Sequence, residues 1–232
     1  MRAYGKIGAV GILIVVCMFL IGAVRYNLSV VTSAIADLPP IIIIDAGHGG
    51  EDGGTTGLNG ASESMLNLEI ALRLEQLLSF CGYDTLMIRR TDTAIYTGNC
   101  ETLSEKKVSD LKNRVALINQ TQPGILISIH QNHFSEEKYS GAQVFYAKTD
   151  SSRELAETVR SALNTRRPCK PADSVYLMEK IECPGVLIEC GFLSNSREEA
   201  LLVTPEYQKK LVGAITGALS QFTAKDDWNR EV

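Results

Sequence analysis

Three histidines occur in the 232 residues, and two of them close apolar runs. His48 follows Ile41-Ile42-Ile43-Ile44 within Asp45-Ala46-Gly47-His48-Gly49-Gly50, and His130 ends Ile125-Leu126-Ile127-Ser128-Ile129. A third run, Gly185-Val186-Leu187-Ile188, ends in Glu189, and Glu63 stands at the mouth of an expected helix. Parallel strands present functional groups in this way, as polar residues at the C-terminal ends of short apolar runs. Two imidazoles, a ligand carboxylate and a spare carboxylate are the parts of a catalytic zinc site with one position open to water. His48, Glu63 and His130 supply the ligands, which leaves Glu189 as the general base.

Taken singly, each residue has a blander explanation. A histidine at a strand end is more often structural or solvent-facing than a ligand. A glutamate in a first helical turn is favoured by the helix dipole alone. Glu189 is harder to dismiss, because a charge inside Val-Leu-Ile-Glu-Cys-Gly-Phe is costly unless it meets a cleft or a partner. The glycines around His48 permit close approach, and they fit neither GxxxxGK[ST] nor a GxGxxG leading into a helix, so a phosphate cradle is excluded. His133, beyond its strand, reads as a surface residue, a substrate contact or an alternative ligand.

The elements that must position these groups alternate. Strands are expected at 41–45, 84–89, 125–130, 142–147 and 185–190, and helices at 64–80, 105–120, 152–164 and 205–222. Ser62 reads as an N-cap with Gly82 after the end of that helix, and Thr204-Pro205 opens the last one. The apolar face of 64–80 is broad, with Met65, Leu66, Leu68, Ile70, Leu72, Leu74 and Leu77 against Glu69, Arg73 and Gln76. This alternation implies an α/β fold: a three-layer domain whose largely parallel mixed sheet is flanked by helices.

Before that domain lies an uncharged apolar run of 18 residues, Ile7 to Val24, with Arg2 and Lys6 ahead of it and Arg25 behind. It reads as one N-terminal transmembrane segment with the N-terminus inside. A cleaved signal ending at Ala34-Ile35-Ala36 is the competing reading, and both export the remainder. The organisation expected is an anchor or signal over 1–24, a linker over 25–40, the catalytic domain over 41–222 and a polar tail over 223–232. With 22% charged residues, a net charge of −4 and no basic patch, nucleic-acid binding is not expected. Cys17 lies in the apolar run, leaving an odd number of cysteines beyond it with no CxxC spacing. These read as buried free thiols, with Cys100–Cys169 as the pair to check. Neighbouring strand residues point to opposite faces, so Cys190 faces the core if Glu189 faces the cleft.

Several blocks in order resemble the zinc-dependent N-acetylmuramoyl-L-alanine amidases of the Amidase_3 family. They are Asp45 to Gly50, Glu63 with Asn67-Leu68, Arg90-Thr91-Asp92, Arg114 to Asn119, Ser128 to Asn132, and Glu189-Cys190-Gly191-Phe192-Leu193-Ser194-Asn195. Ala46 stands where the family usually has proline, and Ser64-Met65 where it has Lys-Asp. Within the family the chain is similar to the spore-cortex type, through its short length, Ser140-Gly141-Ala142-Gln143-Val144-Phe145-Tyr146 and Tyr176-Leu177-Met178. The resemblance implies zinc held by His48, Glu63 and His130, Glu189 as the catalytic carboxylate, and cleavage between the lactyl group of muramic acid and L-alanine. It implies an extracytoplasmic enzyme working in spore cortex as the first step toward muramic-δ-lactam. Its partners would be peptidoglycan as substrate, the membrane through the N-terminal segment, a protein activator and a downstream deacetylase. A zinc peptidase cutting within the stem peptide, or a catalytically silent wall-binding module, are the alternatives.

Overall fold

The computed structural model describes residues 16–26 and 39–225, and the chain divides into two compact units, Met1–Pro39 and Pro40–Val232. In the first, residues 16–26 form a helix, α1, with exposed apolar side chains such as Phe19 and Ile21. Residues 7–15 of the expected membrane segment, the alternative cleavage site at Ala34–Ala36 and most of the 25–40 linker lie outside the described residues. Among the described residues no helix is long and apolar enough to cross a membrane. The end of the expected tail, 226–232, is likewise outside them.

The second unit is built on six strands in the order β2-β1-β3-β6-β4-β5. They are β1 (Ile41–Ala46), β2 (Thr85–Met87), β3 (Gly124–Asn132), β4 (Gln143–Tyr146), β5 (Lys170–Pro171) and β6 (Gly185–Phe192). All pairings are parallel except β4 against β6, so the sheet is mixed and largely parallel. The continuous β-branched runs of β1 and β3 follow from burial on both faces.

Ile42, Ile44, Ile127, Ile129 and Ile188 pack against Ile70 and Leu74 of α2 (Glu63–Phe80), Val159 of α4 (Asp150–Ala162) and Leu219 of α7 (Pro205–Thr223). The residues between them, Ile43, Leu126 and Leu187, pack on Ile118 of α3 (Leu103–Gln120) and on Leu177 and Met178 of α5 (Tyr176–Lys180). Period-two alternation thus divides the interior into two cores around one sheet, which gives the expected three layers. A short helix, α6 (Ser196–Leu202), follows β6.

Three local expectations change. Ser62 occupies the N-cap of α2 but makes no capping bond; its Oγ lies 3.1 Å from Ser64 Oγ instead. Met65 is exposed, because spacings of four and seven put it on the outward stripe with Glu69, Gln76 and Phe80. The cysteines are all free, so Cys100 and Cys169 are not joined. Cys183 and Cys190 are buried as expected, whereas Cys81 is exposed at the C-cap of α2, where the helix ends at the surface ahead of Gly82.

Candidate metal centre and active site

β1 ends at Ala46, and the chain turns sharply through Gly47–Gly50. His48 itself has φ 61°, a left-handed conformation that a side chain adopts only when its surroundings hold it there. Two buried arginines do the holding. Arg114 of α3 donates from Nη2 to His48 O at 2.7 Å, from Nη1 to both Ala46 O at 2.9 Å and Asp45 Oδ1 at 2.5 Å, and from Nε to Asp110 Oδ2 at 2.6 Å. Arg89 donates to Ala46 O at 2.8 Å, Gly47 O at 2.9 Å and Ser64 O at 2.8 Å, tying the loop to the first turn of α2. Position 47 has no room for a side chain, since a Cβ there would strike the His130 ring.

This framework brings three of the expected residues to one point. His48 Nε2 and His130 Nδ1 each lie 3.2 Å from Glu63 Oε1, with the imidazole rings edge-to-face at a centroid distance of 5.1 Å. One ligand atom from each of the three falls within 4.8 Å of the others. The other Glu63 oxygen accepts from Thr55 N at 2.9 Å, which fixes the carboxylate's orientation. Burial raises the Glu63 pKa, but hydrogen bonds from His130 and His48 outweigh it and hold the carboxyl well below its ordinary range. Burial lowers that of His48, yet Glu63 and Asp52 prevail and raise it to about 9.

Glu189 lies in register with His130 across the β3–β6 pair. Its Oε2 is shut away from solvent without a hydrogen-bond partner. Burial raises its pKa to about 7, the nearby His130 opposing and the Glu63 charge assisting. Cys190 points the other way into the apolar core, as strand alternation requires. His133 is exposed and takes no part in the cluster.

Two supporting residues escape a reading of sequence alone. Asp52 Oδ2 lies 3.0 Å from His48 Nδ1, and Lys107 Nζ lies 2.8 Å from Asp52 Oδ1. A carboxylate only accepts, so Nδ1 donates to Asp52 and Nε2 to Glu63, which keeps the ring protonated on both nitrogens up to its raised pKa. Arg89 is the second: of the adjacent arginines at the end of β2, Arg90 pairs with Glu75 and Arg89 turns inward. Two neighbouring arginines just after an apolar strand are the signal, since alternation sends one of them into the protein.

Arg114 also sets a stability prediction. Burial raises the Asp45 pKa, but the Arg114 guanidinium, with His130 and Ser128, outweighs it and holds the carboxyl low. A depressed carboxylate contributes stability above its unfolded pKa of ~3.9, and loses it as pH falls through the folded value. Arg114→Met leaves Asp45 buried without its cation and is expected to cost about 3–5 kcal/mol at neutral pH. Urea melts between pH 7 and pH 3 should show the gap to the parent narrowing on the acid side; a gap independent of pH would contradict the pairing.

Two imidazole nitrogens and a carboxylate oxygen form a donor set that suits zinc. With Glu189, whose Oε2 is shielded and unpartnered, they form a cluster that could hold a metal ion at the carboxyl ends of parallel strands in an α/β fold. The chain belongs to the N-acetylmuramoyl-L-alanine amidase family Amidase_3, whose pattern matches residues 42–221. It is 40% identical over 194 residues to the germination-specific N-acetylmuramoyl-L-alanine amidase of Bacillus subtilis, covering 81% of each chain. It also superimposes on the CwlD amidase of Clostridioides difficile, solved in complex with the GerS lipoprotein, with a TM-score of 0.77 at 37% identity; the match covers 80% of this chain and 98% of that one. An N-acetylmuramoyl-L-alanine amidase from Clostridium difficile 630 matches at a TM-score of 0.71 and 29% identity, over 81% of this chain and 98% of the other.

Proposed function

We propose that the protein is a zinc-dependent amidase that cleaves peptidoglycan between the lactyl group of N-acetylmuramic acid and L-alanine. The observation that carries this reading is the convergence of His48, Glu63 and His130 on one point, with Glu189 in register beside them, in a chain of this family. His48 Nε2, Glu63 Oε1 and His130 Nδ1 are the atoms that would hold the metal. Zinc, when bound, supplies Lewis acidity to the scissile carbonyl and acidity to the attacking water.

The remaining work falls to the protein's own side chains. Asp52 holds the proton on His48 Nδ1, so that Nε2 is the nitrogen that would give up its proton to take the metal. Glu189 takes the proton from the attacking water and returns it to the departing alanine nitrogen. Its shielded oxygen has no competing hydrogen bond, and a pKa raised to about 7 suits a group that must accept and then donate near neutral pH. Mass spectrometry of digested muropeptides tests the bond assignment. Released peptides should begin with L-alanine; fragments that leave L-alanine on muramic acid would show a stem-peptide peptidase instead.

The similarity to a germination-specific relative supports an extracytoplasmic role in spore cortex, where peptide removal would precede lactam closure by a separate deacetylase. The lipoprotein complex of the similar CwlD amidase supports a protein partner or activator here as well. The Ile7–Val24 run, flanked by Arg2 and Lys6, supports anchoring to the outer face of a membrane. Deleting residues 1–36 should therefore yield a soluble enzyme with unaltered turnover, since every site residue lies beyond Pro40. A native protein that begins at Asp37 would show a cleaved signal in place of an anchor.

A further inference from the structure

Both strands that carry the site run on into a second surface feature. Four residues past His130, Phe134 stands 45% exposed, and three residues past Glu189, Phe192 is buried beneath it with ring centroids 5.4 Å apart. Tyr139 completes the cluster, 5.0 Å from Phe134 and 6.2 Å from Phe192. Over these rings lies the half-buried guanidinium of Arg167, 4.6 Å from Phe192 and 5.8 Å from Tyr139.

The loop that carries Tyr139 is fastened at several points. Ser194 Oγ accepts from Phe134 N at 3.0 Å, Asn195 Nδ2 donates to Glu137 O at 2.7 Å, and Glu198 Oε1 accepts from Gly141 N at 2.7 Å. Arg167 Nε donates to Ser140 O at 2.9 Å, whereas among the described residues no side chain or carbonyl takes up its two terminal nitrogens. An arginine fixed on aromatic faces with its fork unused is preorganised for a carboxylate, because little further rotamer freedom is lost on binding. Its neighbour Arg166 lines the same open cleft.

We propose that Arg167 on its aromatic platform is a subsite for the free carboxylate of the stem-peptide residue that follows L-alanine. The proposal rests on the amidase reading and names the part of the substrate that this surface selects. Stem peptides continue from L-alanine into a glutamate joined through its side chain, which leaves the α-carboxylate free. β6 bulges between Glu189 and Phe192, which oppose His130 and Asn132 only two residues apart, so the advance along the strand is ~7 Å. From the scissile nitrogen, two extended residues reach ~7 Å, and a guanidinium–carboxylate contact adds ~3 Å. That reach covers the advance to Phe192 and the guanidinium beyond it, and the accessible rings of Phe134 and Tyr139 offer apolar contact to the peptide between.

The test pairs two substrates with two variants. Muropeptides with the second-residue carboxylate free or converted to carboxamide are compared for kcat/KM on the purified protein, on Arg167→Met and on Arg167→Lys. The parent should prefer the free acid by about 10–100-fold, the range for hydrogen bonds to a charged group. Arg167→Met should lose that preference, and Arg167→Lys, which keeps charge without the fork, should retain part of it. No preference in the parent, or an equal fall on both substrates in Arg167→Met, would overturn the subsite. A parallel NMR titration with the free dipeptide L-alanyl-D-glutamine, whose side-chain amide stands for the onward bond and whose α-carboxylate is free, reads the subsite without turnover and should show weaker binding to Arg167→Met. If the parent releases no L-alanyl peptide yet dipeptide binding still depends on Arg167, the amidase reading fails and the subsite stands; binding that ignores Arg167 sinks the subsite whatever the enzyme cuts.

Discussion

Replacing His48, Glu63 or His130 by alanine is expected to remove zinc and hydrolysis together. Each variant takes away one of three donors that converge within 4.8 Å. Its zinc affinity should fall by more than the ~10–100-fold that loss of an outer-shell partner costs. The fold should survive, because the two cores on either side of the sheet contain none of these side chains. His48→Ala keeps the Cβ and the Arg114 clamp on the carbonyl, so the left-handed backbone strain at that position should remain. Zinc by elemental analysis, turnover on muropeptides and a thermal melt separate the possibilities. Stoichiometric zinc in both histidine variants would remove the assignment, and loss of the fold itself would show that the residues are structural.

Glu189→Gln is expected to leave zinc in place while turnover drops by ~10²–10⁴, the range for a positioned general base. The amide fits the same space but has no proton-accepting oxygen of comparable basicity. Relief of a buried charge should leave stability unchanged or slightly raised, because the carboxylate now occupies a position where one oxygen has no partner. Near-normal turnover would move proton transfer to another residue; loss of zinc together with activity would make Glu189 a ligand instead.

The fold was legible where burial imposes a pattern. β1, β3 and β6 are apolar runs because both faces of the sheet are covered, and the site residues sit near their C-terminal ends, His48 just past β1 and His130 and Glu189 within the C-terminal halves of β3 and β6. α7 announced itself by Thr204-Pro205, and the Thr204 side chain does accept from Tyr207 N. What escaped was short: β5 has two residues and α5 five, too few to show any period, and α6 is a seven-residue helix capped by Asn195. The exposure of Met65 and Cys81 depended on how α2 is rotated and where it ends, which small errors in phase decide.

In the site, residue type and strand position singled out His48, Glu63, His130 and Glu189, because charge in an apolar context is costly without a purpose. The clamps were less legible, since Arg89 and Asp52 act through backbone carbonyls and a ring nitrogen that only the folded loop brings near. Arg167 lies 37 residues beyond His130 in sequence and meets Phe192 only through the loop that Ser194, Asn195 and Glu198 fasten. No local pattern could have joined them.

The most direct measurement is anomalous diffraction at the zinc edge from crystals of the zinc-loaded enzyme. One peak is expected, bound by a nitrogen from each of His48 and His130 at ~2.0–2.1 Å and a Glu63 oxygen at ~2.0–2.2 Å, with the fourth position facing Glu189. A peak elsewhere in the chain, or one at the site held by sulfur at ~2.3 Å or by Glu189 in place of Glu63, would contradict the account.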